Sequence, residues 1–197
     1  MAAQLSNSAQ PTVVLVAPAG QALGDDQISL APMLPQDFGL LFAWLNDADA
    51  AELDVPYLPV SCLAYRDWLE KIGRDSSQLL FSVRLRAQPD KALGFIQFKN
   101  FQSIYRSAEL GTRIGQESER GHGYGARAVR LALSYAWNTL NLHRVSLQVF
   151  ADNQRAQACY RNAGMIPEGL MRDGAFTGGR WRDVVLMAAL RPAEPDC

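Results

Sequence analysis

Residues 119–128 read ERGHGYGARA. Gly121, Gly123 and Gly125 alternate with other residues, Arg120 stands in front, and an alanine-rich run with helical spacing follows. Glycine lets backbone N–H groups approach a ligand with no Cβ in the way. At a helix N-terminus the unpaired N–H groups and the helix dipole favour an anion, phosphate above all. Arg120 adds charge at the mouth and Arg127 lies one turn in. No Asp or Glu occurs from Arg120 to Ala151. The alternative is a glycine-rich turn that only starts a helix.

Residues 121–126, GHGYGA, also match G-x-G-x-x-A of dinucleotide sites, a weak signal alone. Such a site needs an acid about twenty positions on, for a ribose hydroxyl, and directly follows a buried strand. Here the acid is missing and GQESER intervenes. The phosphate loop G-x-x-x-x-G-K-[ST] is absent too. A nucleotide-cofactor oxidoreductase is therefore disfavoured.

Downstream, Val129, Leu133, Ala136, Trp137 and Leu140 repeat at helical spacing, with Arg127, Arg130, Ser134 and Asn138 opposite. HRVSLQVF alternates as a strand. NQRAQACYRNAG reads as a short helix, capped by Asn153 and ended by Gly164. PEGLMRD and RWRDVVLMAAL read as a final hairpin around GAFTGG. Upstream, SAELGTRIG reads as a strand that Gly111 weakens or bulges. LLFSVRLR and ALGFIQFKNF form a hairpin across AQPDK. CLAYRDWLEKIGRD is an amphipathic helix with Leu63, Trp68, Leu69 and Ile72 on its apolar side. FGLLFAWLND is another helix, QISLAPML a strand, PAGQALGDD a loop and TVVLVA a further short strand. DADAAELDVPYLPVS is broken by Pro56 and Pro59 and reads as loop with some helix. The result is a mixed α/β (α+β) sheet with one strand–helix–strand crossover at its centre.

At 197 residues and 48% hydrophobic content, the chain suits one packed domain. Residues 1–26 are expected to be an N-terminal extension, partly disordered. Residues 27–190 are expected to be the functional domain and 191–197 a loose tail. Net charge is −1, so no global field favours nucleic acid. Residues 1–65 hold no Lys or Arg and seven acids: Asp25, Asp26, Asp37, Asp47, Asp49, Glu52 and Asp54. The rest carries all 19 basic residues against 13 acids. Solvated helix faces explain this blandly. An acidic wall for a cationic substrate beside a basic wall for an anionic one is the sharper reading. Cys62, Cys159 and Cys197 lack metal or disulfide spacing, and no apolar run is long enough to span a membrane. A cytoplasmic protein without a metal is expected.

RGHGYG, Arg120 to Gly125, has the form [QR]-x-x-G-x-[GA]. It resembles the pyrophosphate signature of the GNAT superfamily of acyl-CoA N-acyltransferases. DNQRAQACYRNAGM resembles that family's second signature, through Asn153, Tyr160, Gly164 and Met165. AWLND and GRWRDVVLMAAL look like the branch containing the ribosomal-protein N-terminal acetyltransferases. The strand and helix order is similar to that fold from about Gln27 to Leu190.

The resemblance implies a mostly antiparallel central sheet whose one parallel strand pair splays, with flanking helices. Acyl-CoA, here acetyl-CoA, would enter the gap between AELGTRI and RVSLQVF. Backbone of Thr112, Arg113 and Ile114 would pair with the pantetheine arm. Arg120, Gly121, His122, Gly123, Tyr124, Gly125 and Ala126 would hold the pyrophosphate, and Asn153 would bind near the pantetheine. Tyr160 matches the position that often protonates the leaving thiolate; a packing role is its other reading. Many relatives place a Glu five residues before the Asn, where this chain has Gln148, which takes no proton. Glu109 is then the candidate base, acting through water, or else a structural carboxylate. His122 is expected to face solvent and His143 to be structural. Nothing marks Cys159 as activated.

The expected reaction is N-acetyl transfer from acetyl-CoA to a primary amine of a small molecule or a protein N-terminus, by direct attack. A non-catalytic acyl-CoA-binding or sensing module is the alternative that Gln148 keeps open. The acceptor, an amine read as cationic from the acids of that segment, would bind where the first two helices and ELDVPYLPVS meet the sheet. Asp47, Asp49, Glu52 and Asp54 would attract its charge. Tyr57, Trp44 and Trp68 would form an aromatic wall, although the tryptophans suit the core better. No nucleic acid or membrane partner is expected. Exposed strands are compatible with a homodimer.

Overall fold

The computed structural model describes residues 23–48, 58–72, 77–115 and 117–193. TVVLVA, Asp49, Glu52, Asp54 and Tyr57 lie outside the described residues. In chain order the elements are β1 (Leu23–Gly24), β2 (Ile28–Pro32), a 3-10 turn (Pro35–Asp37), α1 (Phe38–Leu45) and α2 (Cys62–Ile72). There follow β3 (Leu79–Leu85), β4 (Gln88–Gln102), β5 (Ser107–Ile114), a 3-10 turn (Glu117–Glu119) and α3 (Tyr124–Asn138). The chain continues with β6 (Arg144–Phe150), α4 (Gln154–Asn162), β7 (Ile166–Thr177) and β8 (Arg180–Leu190).

All eight strands form one sheet in the order β1-β2-β3-β4-β5-β6-β8-β7. Among the described residues only β5 and β6 run parallel, joined through α3. The other neighbours are antiparallel. The expected mixed, mostly antiparallel sheet with flanking helices is therefore observed. It gains one strand, β1, in a stretch read from sequence as loop.

Alternation along the strands makes two cores. Ile28, Leu30, Phe81, Val83, Ile96, Phe98, Ala108, Leu110, Val145 and Leu147 point to the face covered by α3. Tyr135 of α3 meets Phe81 edge-on, with ring centroids 5.2 Å apart. On the opposite face Leu41, Trp44, Tyr65, Leu80 and Ala92 form a smaller core beneath α1 and α2. β3 is buried on both faces: Phe81 and Val83 meet the larger core, while Leu80, Ser82 and Arg84 are buried on the other side.

The apolar side of α2 needs a correction. Leu63 is 73% exposed and Tyr65 is buried. Tyr65, Trp68, Leu69 and Ile72 fall at i, i+3, i+4 and i+7, whereas Leu63 shares its side with Asp67 and Glu70. The Tyr65 hydroxyl donates to the Phe38 carbonyl at 2.7 Å, tying α2 to α1. The expected disturbance at Gly111 is also absent. Gly111 pairs in register with Gln97, and the register shift of this hairpin falls at Lys99–Gln102, where Asn100 adopts φ 53°.

A buried ion pair anchors α1 to the sheet. Arg84 of β3 donates to Asp37, and both side chains are almost fully enclosed. Asp37 also accepts from the Leu34 N–H at 2.8 Å, and Arg84 donates to Ser82 Oγ at 3.0 Å and the Pro89 carbonyl at 2.9 Å. Each member of the pair is thus held by further hydrogen bonds from protein, as a buried charge requires.

Candidate functional site

The parallel pairing of β5 and β6 lasts for three rungs: Ser107 with Arg144, Ala108 with Val145, and Glu109 with Ser146. Beyond them β5 continues as Leu110–Ile114, paired with β4 alone. β6 continues as Leu147–Phe150, paired with β8 alone. Two strand edges therefore diverge into a gap, each with backbone groups that no neighbouring strand satisfies. Along this unpaired stretch of β5 the Thr112 hydroxyl is buried without a hydrogen-bond partner. Such an atom calls for a ligand or water.

The N-terminus of α3 lies just past the end of β5. Gly123 caps it at φ 82° and Gly121 has φ 92°, backbone settings that side chains with a Cβ rarely take. No side chain caps the helix, and its first bond runs from the Arg127 N–H to the Gly123 carbonyl. The N–H groups of Tyr124, Gly125 and Ala126 therefore have no partner within the helix. Gly121, His122 and Gly123 are exposed. The His122 ring faces solvent, as expected, and stacks on Tyr124 at 5.5 Å. A Cβ on Gly125 would come within 3.0 Å of Cys159 Sγ, so this glycine lets α4 approach α3.

The two arginines expected at the loop are spent elsewhere. Arg120 turns inward, its Nε donating to the Ile114 carbonyl at 3.2 Å and its Nη2 to the Gly115 carbonyl at 3.3 Å. It thereby fastens the loop to the end of β5. Arg127 pairs with Asp25 at 2.9 Å and Asp26 at 2.7 Å. No sequence signal foretold that pairing, since the partners are about a hundred positions apart.

On the α1 and α2 face, Glu109 is half-buried and accepts from Asn100 Nδ2 at 2.9 Å. Ser146 and Gln148 of β6 share that face, and Gln148 is exposed. Arg113 donates to the Trp44 carbonyl. The Trp44 ring lies so close to Gly115 that a Cβ there would fall 2.0 Å from its Cε2. Trp44 and Trp68 belong to the smaller core, as their size suggested, and half-buried Asp47 follows α1.

Asn153 caps α4 by accepting from the Ala156 N–H at 3.0 Å. Gly164 ends this helix at φ 97°, as expected. Half-buried Tyr160 packs against the larger core. Burial pushes the Cys159 thiol up, and nearby Arg155 and Arg130 only partly offset it, so this cysteine is not an activated nucleophile. His143 is exposed and held through its backbone to Arg106 and Arg191. Among the described residues no group of three potential metal ligands occurs, and no helix is long and apolar enough to cross a membrane.

A wedge between two parallel strands, with a bare helix N-terminus at its mouth, suits an extended carrier ending in phosphate. Residues 27–166 match the description "Acetyltransferase (GNAT) domain". The chain is 33% identical over 167 residues to the Bacillus subtilis protein named "Putative ribosomal N-acetyltransferase YdaF", covering 84% of this chain and 86% of that one. It is 32% identical over 99 residues to the spermidine N(1)-acetyltransferase of Vibrio cholerae, a match spanning 50% of this chain and 57% of that enzyme. A crystal structure of spermidine N-acetyltransferase from Vibrio cholerae with CoA and spermine superposes with a TM-score of 0.76. That match has 25% identity and covers 84% of this chain and 96% of that one. The chain belongs to the GNAT acetyltransferase family and is an acyl-CoA-dependent acetyltransferase that uses acetyl-CoA.

Proposed function

We propose that this protein moves the acetyl group of acetyl-CoA to a primary amine by direct attack. The observation that carries the proposal is the end of β5–β6 pairing at Glu109 and Ser146, with the α3 N-terminus beyond. Acetyl-CoA supplies the thioester whose carbonyl the amine attacks. Residues 121–126 hold the diphosphate through backbone N–H groups, and Arg120 keeps that loop against β5. The edge at Thr112, Arg113 and Ile114 receives the pantetheine arm, with Asn153 beside it.

Glu109 takes the proton of the amine through a water, and Tyr160 Oη gives a proton to the departing sulfur. Glu109 is favoured over Gln148 because an amide accepts no proton at neutral pH, and Glu109 stands where the gap opens. The acceptor binds on the α1 and α2 face. Polyamines are its first candidates, since relatives are named spermidine N-acetyltransferases, and a protein N-terminus is the second. We take residues 27–190 as the catalytic unit. Ile166, Leu170, Phe176 and Trp181 are more than half exposed on the β7–β8 edge, which supports a homodimer.

The test is thiol release from acetyl-CoA across a panel of spermidine, spermine, amino sugars and N-terminal peptides, with products weighed by mass spectrometry. An acetylated amine supports the reading. Tight CoA binding without turnover on the panel and on cell extract would favour a sensing module.

A further inference from the structure

The positive charge that the loop offers a ligand comes from α4. Arg120 and Arg127 are engaged by carbonyls and carboxylates. Arg155, the second residue of α4, is exposed, and among the described residues it has no hydrogen bond or ion pair. Its Nη2 lies 3.9 Å from where a Cβ on Gly121 would sit. Arg130, nearly two turns into α3, spends one long bond of 3.4 Å on the Asn162 carbonyl. A free guanidinium therefore stands beside the start of the phosphate loop, outside the amides at its end.

Those amides suit a diphosphate, whose two phosphodiester-like groups carry one charge each. A phosphate monoester is different: it carries close to two charges at neutral pH and three acceptor oxygens. A planar guanidinium fork matches it with paired charge-assisted bonds. Coenzyme A bears one such monoester, the 3′-phosphate of its adenosine, adjoining the diphosphate.

We propose that Arg155 binds the 3′-phosphate of coenzyme A and so makes the protein select acyl-CoA over thioester carriers lacking that group. This rests on the assignment of the loop to the CoA diphosphate. The consequence is a donor specificity: acyl groups on a bare phosphopantetheine arm, as on carrier proteins, would be poor donors.

The experiment is calorimetric titration of CoA and 3′-dephospho-CoA into the wild-type chain and Arg155→Gln, with circular dichroism to confirm folding. The wild type should prefer CoA by about 10- to 100-fold, the worth of a hydrogen-bonded charge pair. In Arg155→Gln that preference should collapse through weaker CoA binding alone, with 3′-dephospho-CoA unchanged. Equal weakening of both ligands would place the guanidinium on the diphosphate and overturn the proposal. So would a preference that survives the substitution. If the wild type bound neither ligand, the loop assignment itself would fall, a result distinct from either of these.

Discussion

Glu109 of β5 and Ser146 of β6 form the last rung of the parallel pairing, and the strands part directly beyond them. The carboxylate is held by Asn100 from the neighbouring strand and stands on the face beneath α1 and α2. A base at the point of a wedge meets an amine arriving from one face and a thioester lying between the strands.

Replacing Glu109 by Gln keeps the size and the hydrogen-bonding capacity but removes the base. The expected result is a fall in kcat of about 10²- to 10⁴-fold with CoA affinity unchanged. Steady-state kinetics and CoA titration on the same preparation separate the two. A purely structural carboxylate would leave kcat near wild type.

Tyr160→Phe removes a single hydroxyl from a side chain whose ring packs on the larger core. Turnover should fall by roughly 10²-fold or more if the hydroxyl delivers the proton to sulfur. The melting temperature should move little. A variant that loses stability and keeps its kcat would return Tyr160 to a packing role.

Gly123 holds φ 82° with nothing within 4 Å of a Cβ built there, so space is not what limits it. Backbone strain is. Gly123→Val should cost on the order of 1–3 kcal/mol of local strain and weaken CoA binding at least tenfold. Gly123→Asn, which tolerates the left-handed region, should bind CoA better than the valine variant. Equal binding by the two would show that the φ of this residue does not matter.

The Asp37–Arg84 pair carries no part of the chemistry and much of the anchoring of α1. Asp37→Ala leaves a guanidinium buried without its partner and should cost about 3–5 kcal/mol. Urea unfolding reads this directly. Joint replacement, Asp37→Leu with Arg84→Met, should recover most of the loss.

Acid stability follows from two surface carboxylates. Hydrogen bonds from Arg182 hold Asp152, and those from Arg144 hold Glu168, below their ordinary range. A folded-state pKa below the unfolded one contributes stability in full above the unfolded value, near 4. That contribution is lost as pH falls through the folded pKa. Urea midpoints should therefore stay flat from about pH 7 to pH 5 and fall below about pH 4. The fall should be shallower in Asp152→Asn with Glu168→Gln.

Much of this was legible in the chain itself. The spacing of Val129, Leu133 and Ala136 and the alternation in β6 gave the crossover, and the glycines marked the loop. Local signals carry such features because each residue's setting is fixed by near neighbours. What stayed hidden depends on distant contacts. Arg127 looked free until Asp25 and Asp26 closed on it, and nothing in the sequence singles out Arg155, which the fold brings to Gly121. Leu63 misled for a different reason: the apolar positions of α2 include a tyrosine, which buries its ring and spends its hydroxyl on Phe38.

The central claim is that the α3 N-terminal amides and the free edge of β5 together receive acetyl-CoA. Amide hydrogen exchange with and without the ligand tests it directly. The account predicts slowed exchange in residues 121–126 and 110–114, with smaller changes elsewhere. Saturation with acetyl-CoA that leaves both segments exchanging at their free rates would contradict it.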